Sequence, residues 1–192
     1  MLFLYTAPLP HVAPLSGSDT VRQLLAQIGD NLQISPLTVQ KTKEGRPFLK
    51  DRDGIDISFA HSRSLAVCAL LQKEHGHWRV GVDAEPYPTN AKRDITAFAR
   101  RFFAPCEQQA LFEAPDKELA FLTVFTKKEA YAKYCGKGLG QCTKTADTCS
   151  PAFLREAGVR FLTRRHEGHI LTVCLSADCH PTVIEQHESP CQ

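Results

Sequence analysis

The apolar residues of this chain fall into short runs cut by turn-forming residues, and that punctuation limits the folds open to it. Segments 1–6, 55–59, 65–71, 78–85, 159–163, 170–175 and 182–185 each have strand length. Three stretches instead have helical spacing. Over 18–28, Val21, Leu24, Leu25 and Ile28 share one face, with Ser18 or Asp19 as N-cap and Gly29 past the end. Ile95, Phe98, Ala99 and Phe102 repeat the pattern. A longer helix is predicted from an Asp116 cap through Leu119, Leu122 and Phe125 to Gly136, a residue suited to the left-handed position after a helix end. Such short strands cannot bury both faces alone, so each group needs a helix laid over it, which is α+β architecture. The order, a helix followed by three strands, occurs twice. It predicts two similarly built halves, 1–85 and 86–192, separated where Pro86 and Pro88 interrupt the chain. In the first half, 55–59, 65–71 and 78–85 are expected to form a meander, with 182–185 assigned to the second half.

A chain of 192 residues, 43% hydrophobic, is long enough for a core of its own. Its 23 basic and 21 acidic residues leave a net charge of only +2, which excludes a general nucleic-acid binder. No apolar run approaches the roughly 20 residues that span a bilayer, and the apolar start lacks a positively charged leader. A soluble cytoplasmic protein without membrane association is expected. The eight cysteines include no C-x-x-C pair, so a zinc ribbon is not expected and reduced, mostly buried thiols are.

Four stretches carry candidate chemistry. In Val80-Gly81-Val82-Asp83-Ala84-Glu85 the two carboxylates occupy alternate positions of a strand and point to one face. They repel unless a cation lies between them, and a hard divalent ion suits oxygen donors; a solvated strand end is the other reading. In the long helix, Glu129 follows Leu122 and Phe125 by seven and four residues and shares their apolar stripe, with Lys133 one turn on. This is either a third metal-facing carboxylate with a cation for phosphate, or an ordinary i,i+4 pair. Ala60-His61-Ser62 lies between two strands, and Gly45-Arg46-Pro47 forms a rigid turn whose arginine could hold a phosphate or a planar base.

Taken together and in this order, these stretches resemble the Sfp-type 4′-phosphopantetheinyl transferases. That family has G-[KR]-P, then S-H-S, then [VI]-G-[VI]-D-x-E, then [FW]-[TS]-x-K-E-A-x-x-K and G-x-G-L. Here they correspond to Gly45-Arg46-Pro47, His61-Ser62, 80–85, 125–133 and Gly136-Lys137-Gly138-Leu139. The resemblance covers roughly half the chain, from about Gly45 to Gly140. Ala60 stands in place of a serine, Phe125 in place of the commoner tryptophan, and the N-terminal basic cluster is reduced, with Arg22 as a weak substitute.

The resemblance implies a pseudo-twofold α+β fold, each half a helix packed on a small, mostly antiparallel sheet. Residues 1–85 would take the nucleotide side of coenzyme A and end at the metal-binding strand; 86–192 would hold the catalytic helix and dock the carrier. It implies transfer of the 4′-phosphopantetheine arm of coenzyme A to a serine of an apo carrier protein (acyl, peptidyl or aryl), with release of adenosine 3′,5′-bisphosphate. Asp83, Glu85 and Glu129 would hold Mg²⁺. Glu129 would also act as base and Lys133 on phosphate charge, with Lys128 nearby and Arg46 and His61 on the coenzyme A nucleotide and phosphates. A basic and aromatic carrier-docking surface is expected from Lys92, Arg93, Arg100 and Arg101 around Phe98, Phe102 and Phe103, on a monomer. Two other classes remain: a metal-dependent phosphodiesterase or nuclease, and a non-catalytic coenzyme A or carrier-binding module.

Overall fold

The computed structural model describes residues 1–9, 16–89, 94–137 and 145–187. The first sheet has the order β4-β5-β1-β9, with β1 Leu2–Pro8, β4 Ile55–His61, β5 Leu65–Gln72 and β9 Val183–His187. β1 and β4 run antiparallel to β5, whereas β9 runs parallel to β1. The second sheet has the order β6-β8-β7, with β6 Val80–Pro86, β7 Val159–His166 and β8 His169–Ser176, all antiparallel. A two-stranded ribbon of β2 Val39–Lys41 and β3 Pro47–Leu49 lies apart.

Alternation along the strands sorts the core into layers. Phe3, Tyr5, Ala66, Cys68 and Leu70 face α1 (Gly17–Asn31), which lays Val21, Leu24, Leu25 and Ile28 on them. The alternate residues Leu2, Leu4, Leu65, Val67 and Leu71 face the other way, onto Val80, Val82, Ala84, Leu171, Val173 and Leu175 of the second sheet. Behind that sheet lies α4 (Lys117–Cys135), capped by Asp116 and ended by Gly136 at φ 72°, so the order is helix, sheet, sheet, helix. α2 (Ile95–Phe102), α3 (Pro105–Glu113) and α5 (Pro151–Ala157) complete the second half.

The mixed α+β class and the principal elements agree with the sequence pattern, but strand partnership does not. The expected meander stops after β5, because β6 leaves the first sheet to pair with β8. The strand predicted at 182–185 returns to the first sheet beside β1. The two sheets therefore draw strands from both sides of Glu85. The reason lies in β4. Its alternation of Ile55, Ile57 and Phe59 with Asp56, Ser58 and Ala60 imitates a strand with one wet face, yet Asp56 and Ser58 are buried and accept the Val80 and Val82 N–H groups of β6 at 2.8 and 3.0 Å. Side chains, not a backbone ladder, join the sheets there.

No helix among the described residues is long and apolar enough to cross a membrane. Cys68, Cys174 and Cys179 are buried, Cys106 is exposed, and Cys135 and Cys149 are half-buried, all free thiols. Cys142 and Cys191 lie outside the described residues, as do Lys92, Arg93 and the stretch Gly138-Leu139-Gly140.

Candidate active site

Gly81 sets the approach of α4 to β6. A Cβ there would lie 2.1 Å from the Ala130 carbonyl oxygen and 2.6 Å from the Tyr134 nitrogen, so only glycine admits the helix backbone this closely. A second anchor is the buried hydrogen bond between Thr126 Oγ1 and Thr172 Oγ1, 2.8 Å, between α4 and β8. With the helix seated, Lys133 Nζ donates to Asp83 Oδ1 at 2.8 Å and to the Val82 carbonyl at 2.9 Å.

Glu129, one turn earlier on the same helix, is half-buried against Asp83 and Glu85. Burial, then the charge of Asp83, then that of Glu85 push its carboxyl up to about 7, and Lys133 only partly opposes them. The structure thus brings Asp83, Glu85, Glu129 and Lys133 to one place, and the carboxylates repel. Among the described residues no three His, Cys, Asp or Glu side chains form a ready-made metal cluster. The donor chemistry nonetheless suits a hard divalent cation. Asp83 Oδ2 is buried with no hydrogen-bond partner among the described residues, and all three candidate ligands offer the carboxylate oxygens that such an ion takes.

Beside this group opens a cleft of about 520 Å³ between α1, the β2–β3 ribbon, β4 and the end of α4. Lys133 belongs to both. Arg22, Lys41, His61 and Lys137 bring basic groups to the cleft walls, with Glu44 among them. His61 is exposed, and its ring rests on the first turn of α1: a Cβ on Gly17 would come within 2.8 Å of it. The neighbouring Ser62 turns away, its Oγ donating to His169 Nε2 at 2.9 Å across to the second sheet. Lys41 and Lys137 were not singled out in the sequence, since a lone lysine beside a turn carries no signal of its own.

Two expected residues are held elsewhere. Lys128 is 2% exposed and does not reach the cleft; its Nζ lies 2.7 Å from Glu107 Oε2 and donates to the Ala146 carbonyl. Glu107, fully buried, also accepts the Thr148 N–H and hydroxyl at 2.8 Å each. Helical periodicity explains this: at one position from Glu129, Lys128 is rotated about 100° around α4, onto the face that meets α3. Arg46 does line the cleft, but its guanidinium forks onto Asp56, Nη1 to Oδ1 at 2.9 Å and Nη2 to Oδ2 at 2.6 Å. Neither partner, Glu107 or Asp56, is marked by spacing in the sequence.

The aromatics of the expected docking surface point inward. Phe98 and Phe103 pack on Phe121, each with ring centroids 5.4 Å apart, and Phe98 packs on Phe125 at 5.6 Å. α2 leaves Arg100 and Arg101 exposed beside Thr96 and Ala97, with Arg101 over the half-buried Phe102 ring at 5.0 Å.

Comparison with known proteins matches this arrangement. The model of the 4′-phosphopantetheinyl transferase superfamily covers residues 79–183, which hold the carboxylates, Lys133 and the whole second sheet. The chain is also 32% identical over 144 residues to the 4′-phosphopantetheinyl transferase HetI of Nostoc sp., across 71% of this chain and 56% of that protein. It thus spans about half the length of that relative. With a family model matching more than half its residues, over the sheet and helix that build the site, the chain belongs to the 4′-phosphopantetheinyl transferase superfamily.

Proposed function

We propose that this protein moves the 4′-phosphopantetheine arm of coenzyme A onto a serine hydroxyl of an apo carrier protein, with Mg²⁺, releasing adenosine 3′,5′-bisphosphate. The observation that carries this is the meeting of a basic cleft of nucleotide size with three mutually repelling carboxylates at Lys133. Phosphoryl transfer to an alcohol requires those parts: cationic groups for the phosphates, an acceptor for the alcohol proton and fixed donors for developing charge.

Asp83, Glu85 and Glu129 are the residues that would hold Mg²⁺; bound there, the ion would neutralise pyrophosphate charge. Glu129, or a water held beside it, is placed to take the proton of the carrier serine. Lys133 Nζ, now on Asp83 Oδ1, is the group nearest the cleft that can turn to a phosphate oxygen. His61, Lys41 and Lys137 lie where the nucleotide phosphates would enter. Arg100 and Arg101 offer positive charge to a carrier acidic around its serine.

We further propose that the halves are related by a pseudo-twofold axis, α1 on the first sheet answering α4 on the second, and that one chain suffices as a monomer. The nucleotide side falls to the first half, and the catalytic helix and carrier docking to the second. The test is incubation with coenzyme A, Mg²⁺ and a panel of apo carriers, read by mass. Gain of the phosphopantetheine mass on the carrier serine supports the reading; coenzyme A binding with no mass gain on any carrier points to a binding module, and hydrolysis of a nucleic acid in a parallel incubation with Mg²⁺ points to a nuclease.

A further inference from the structure

We propose that Arg46 is a positioning residue that sets Lys133 against β6 through Asp56 and the end of α4, and that it does not grip a coenzyme A phosphate. The inference rests on the transfer reaction proposed above.

An arginine has five N–H donors, and here the fork is occupied. Besides its two bonds to Asp56, Arg46 donates from Nε to the Lys133 carbonyl and from Nη2 to the Val80 carbonyl, each at 3.2 Å. The two side chains are only 10% and 9% exposed, so the pair is withdrawn from solvent. A phosphate claiming the guanidinium would have to strip it from Asp56 and leave a buried carboxylate unpaired. Asp56 is committed from its other side too, because Oδ2 accepts the Val80 N–H at 2.8 Å.

The arginine stem is equally placed. Gly136, at φ 72°, would put a Cβ 2.9 Å from Arg46 Cδ, so the aliphatic chain lies directly on the turn that ends α4. There the cation also meets the Lys133 carbonyl at the negative end of the helix. Arg46 therefore touches both residues whose separation matters. One is Lys133, by its carbonyl. The other is Val80, three positions before the Asp83 that receives Lys133 Nζ. Losing the fork lets the end of α4 drift relative to β6, and a misplacement of about 1 Å in a charge-stabilising group can cost on the order of a hundredfold in rate.

The experiment compares wild type with Arg46→Lys, Asp56→Asn and the double variant. It measures kcat and KM for coenzyme A in the mass-gain assay, with the folded fraction set by thermal melts. Arg46→Lys keeps the positive charge but not the fork. Positioning predicts that it lowers kcat at least about tenfold with KM for coenzyme A within about twofold of wild type. Asp56→Asn should do the same, and the double variant should be no worse than the poorer single one, since both delete one interaction. If Arg46→Lys does not fold, Asp56→Glu, which keeps the charge and displaces the fork, takes its place with the same expected split.

Near-wild-type kcat in Arg46→Lys, or a KM for coenzyme A raised well beyond twofold in that variant, as loss of a phosphate contact would give, would overturn the proposal. So would a lower melting temperature with unchanged turnover per folded molecule, the mark of a clamp that only stabilises. Wild type that transfers nothing to any carrier defeats the underlying reaction instead, and is told apart by that control.

Discussion

Gly81 and Ala130 are in backbone contact: the space a Cβ would take on the strand is filled by the helix carbonyl, 2.1 Å away. The atom in the way is backbone and cannot rotate aside. Gly81→Ala must therefore push α4 off β6, at the upper end of or beyond the roughly 1–3 kcal/mol usual for overpacking. The same shift carries Glu129 and Lys133 away from Asp83, so transfer should fall further than the folded fraction does. Urea titration beside transfer rates checks this; a variant with wild-type rate would remove the contact from the account of the site.

Glu129→Gln keeps the side-chain shape and removes the charge needed to accept a proton and to hold a cation. Transfer should fall by at least roughly a hundredfold, while the melting temperature holds, because the neutral amide in the same place no longer repels Asp83 and Glu85. Turnover close to wild type would sink the proposed mechanism.

For Asp83→Ala, activity should be lost at ordinary Mg²⁺ and partly restored by excess, since Glu85 and Glu129 remain as oxygen donors with less charge. A metal titration of the rate separates this from collapse of the site, which no metal concentration would repair.

Lys128→Met should act on stability alone. It strands the fully buried Glu107, which breaking a buried ion pair makes cost about 3–5 kcal/mol. Adding Glu107→Leu should recover part of that loss. Chemical denaturation of the single and double variants decides, and coenzyme A affinity of the folded single variant should stay at the wild-type value, since Lys128 does not reach the cleft.

His169 gives the protein a pH dependence between its sheets. Its Nδ1 faces the Glu167 carbonyl, which only accepts, so the ring proton sits there and Nε2 is left to accept from Ser62 and Ser64. Ser62 Oγ already receives the Ser64 and Leu65 N–H groups, and a second ring proton would find that oxygen occupied. Burial accordingly lowers the His169 pKa below its ordinary 6.5. The unfolded chain then takes up the proton first, so the contribution of His169 to stability is full above about 6.5 and is lost as pH falls, levelling off only below the folded value, while the raised Glu129 carboxyl acts in the opposite sense. His169→Gln should remove this contribution, so that on acidification from pH 7.5 to about 5 the variant loses less stability in denaturation curves than wild type does; a pH profile identical to wild type would show that His169 does not contribute.

Helices α1, α2 and α4 and the strands of the two main sheets were legible in the sequence because each rests on local periodicity, whereas the short helices α3 and α5 were not anticipated. Strand alternation likewise paired Asp83 with Glu85 and one helical turn paired Glu129 with Lys133, while the meeting of the two pairs rested on the family resemblance. Partnerships between distant residues were not legible. Asp56 and Ser58 read as a wet face because alternation reports polarity, not what covers it, and that concealed the departure of β6. Lys128 sits in the same short motif as Glu129 yet belongs to a different interface, because one residue along a helix is more than a quarter turn around it.

The return of β9 to lie parallel beside β1 has a consequence for how the chain is made. β1 leaves the ribosome more than 170 residues before β9, so its open edge waits for that distant strand and its inward leucines wait for the second sheet. Until then the nascent first half carries an unpaired strand edge and an apolar face, the two features that invite association with other chains. The protein therefore reaches its protected state in one late step rather than half by half, and cutting the message anywhere before β9 leaves a fragment whose natural fate is a chaperone or an aggregate.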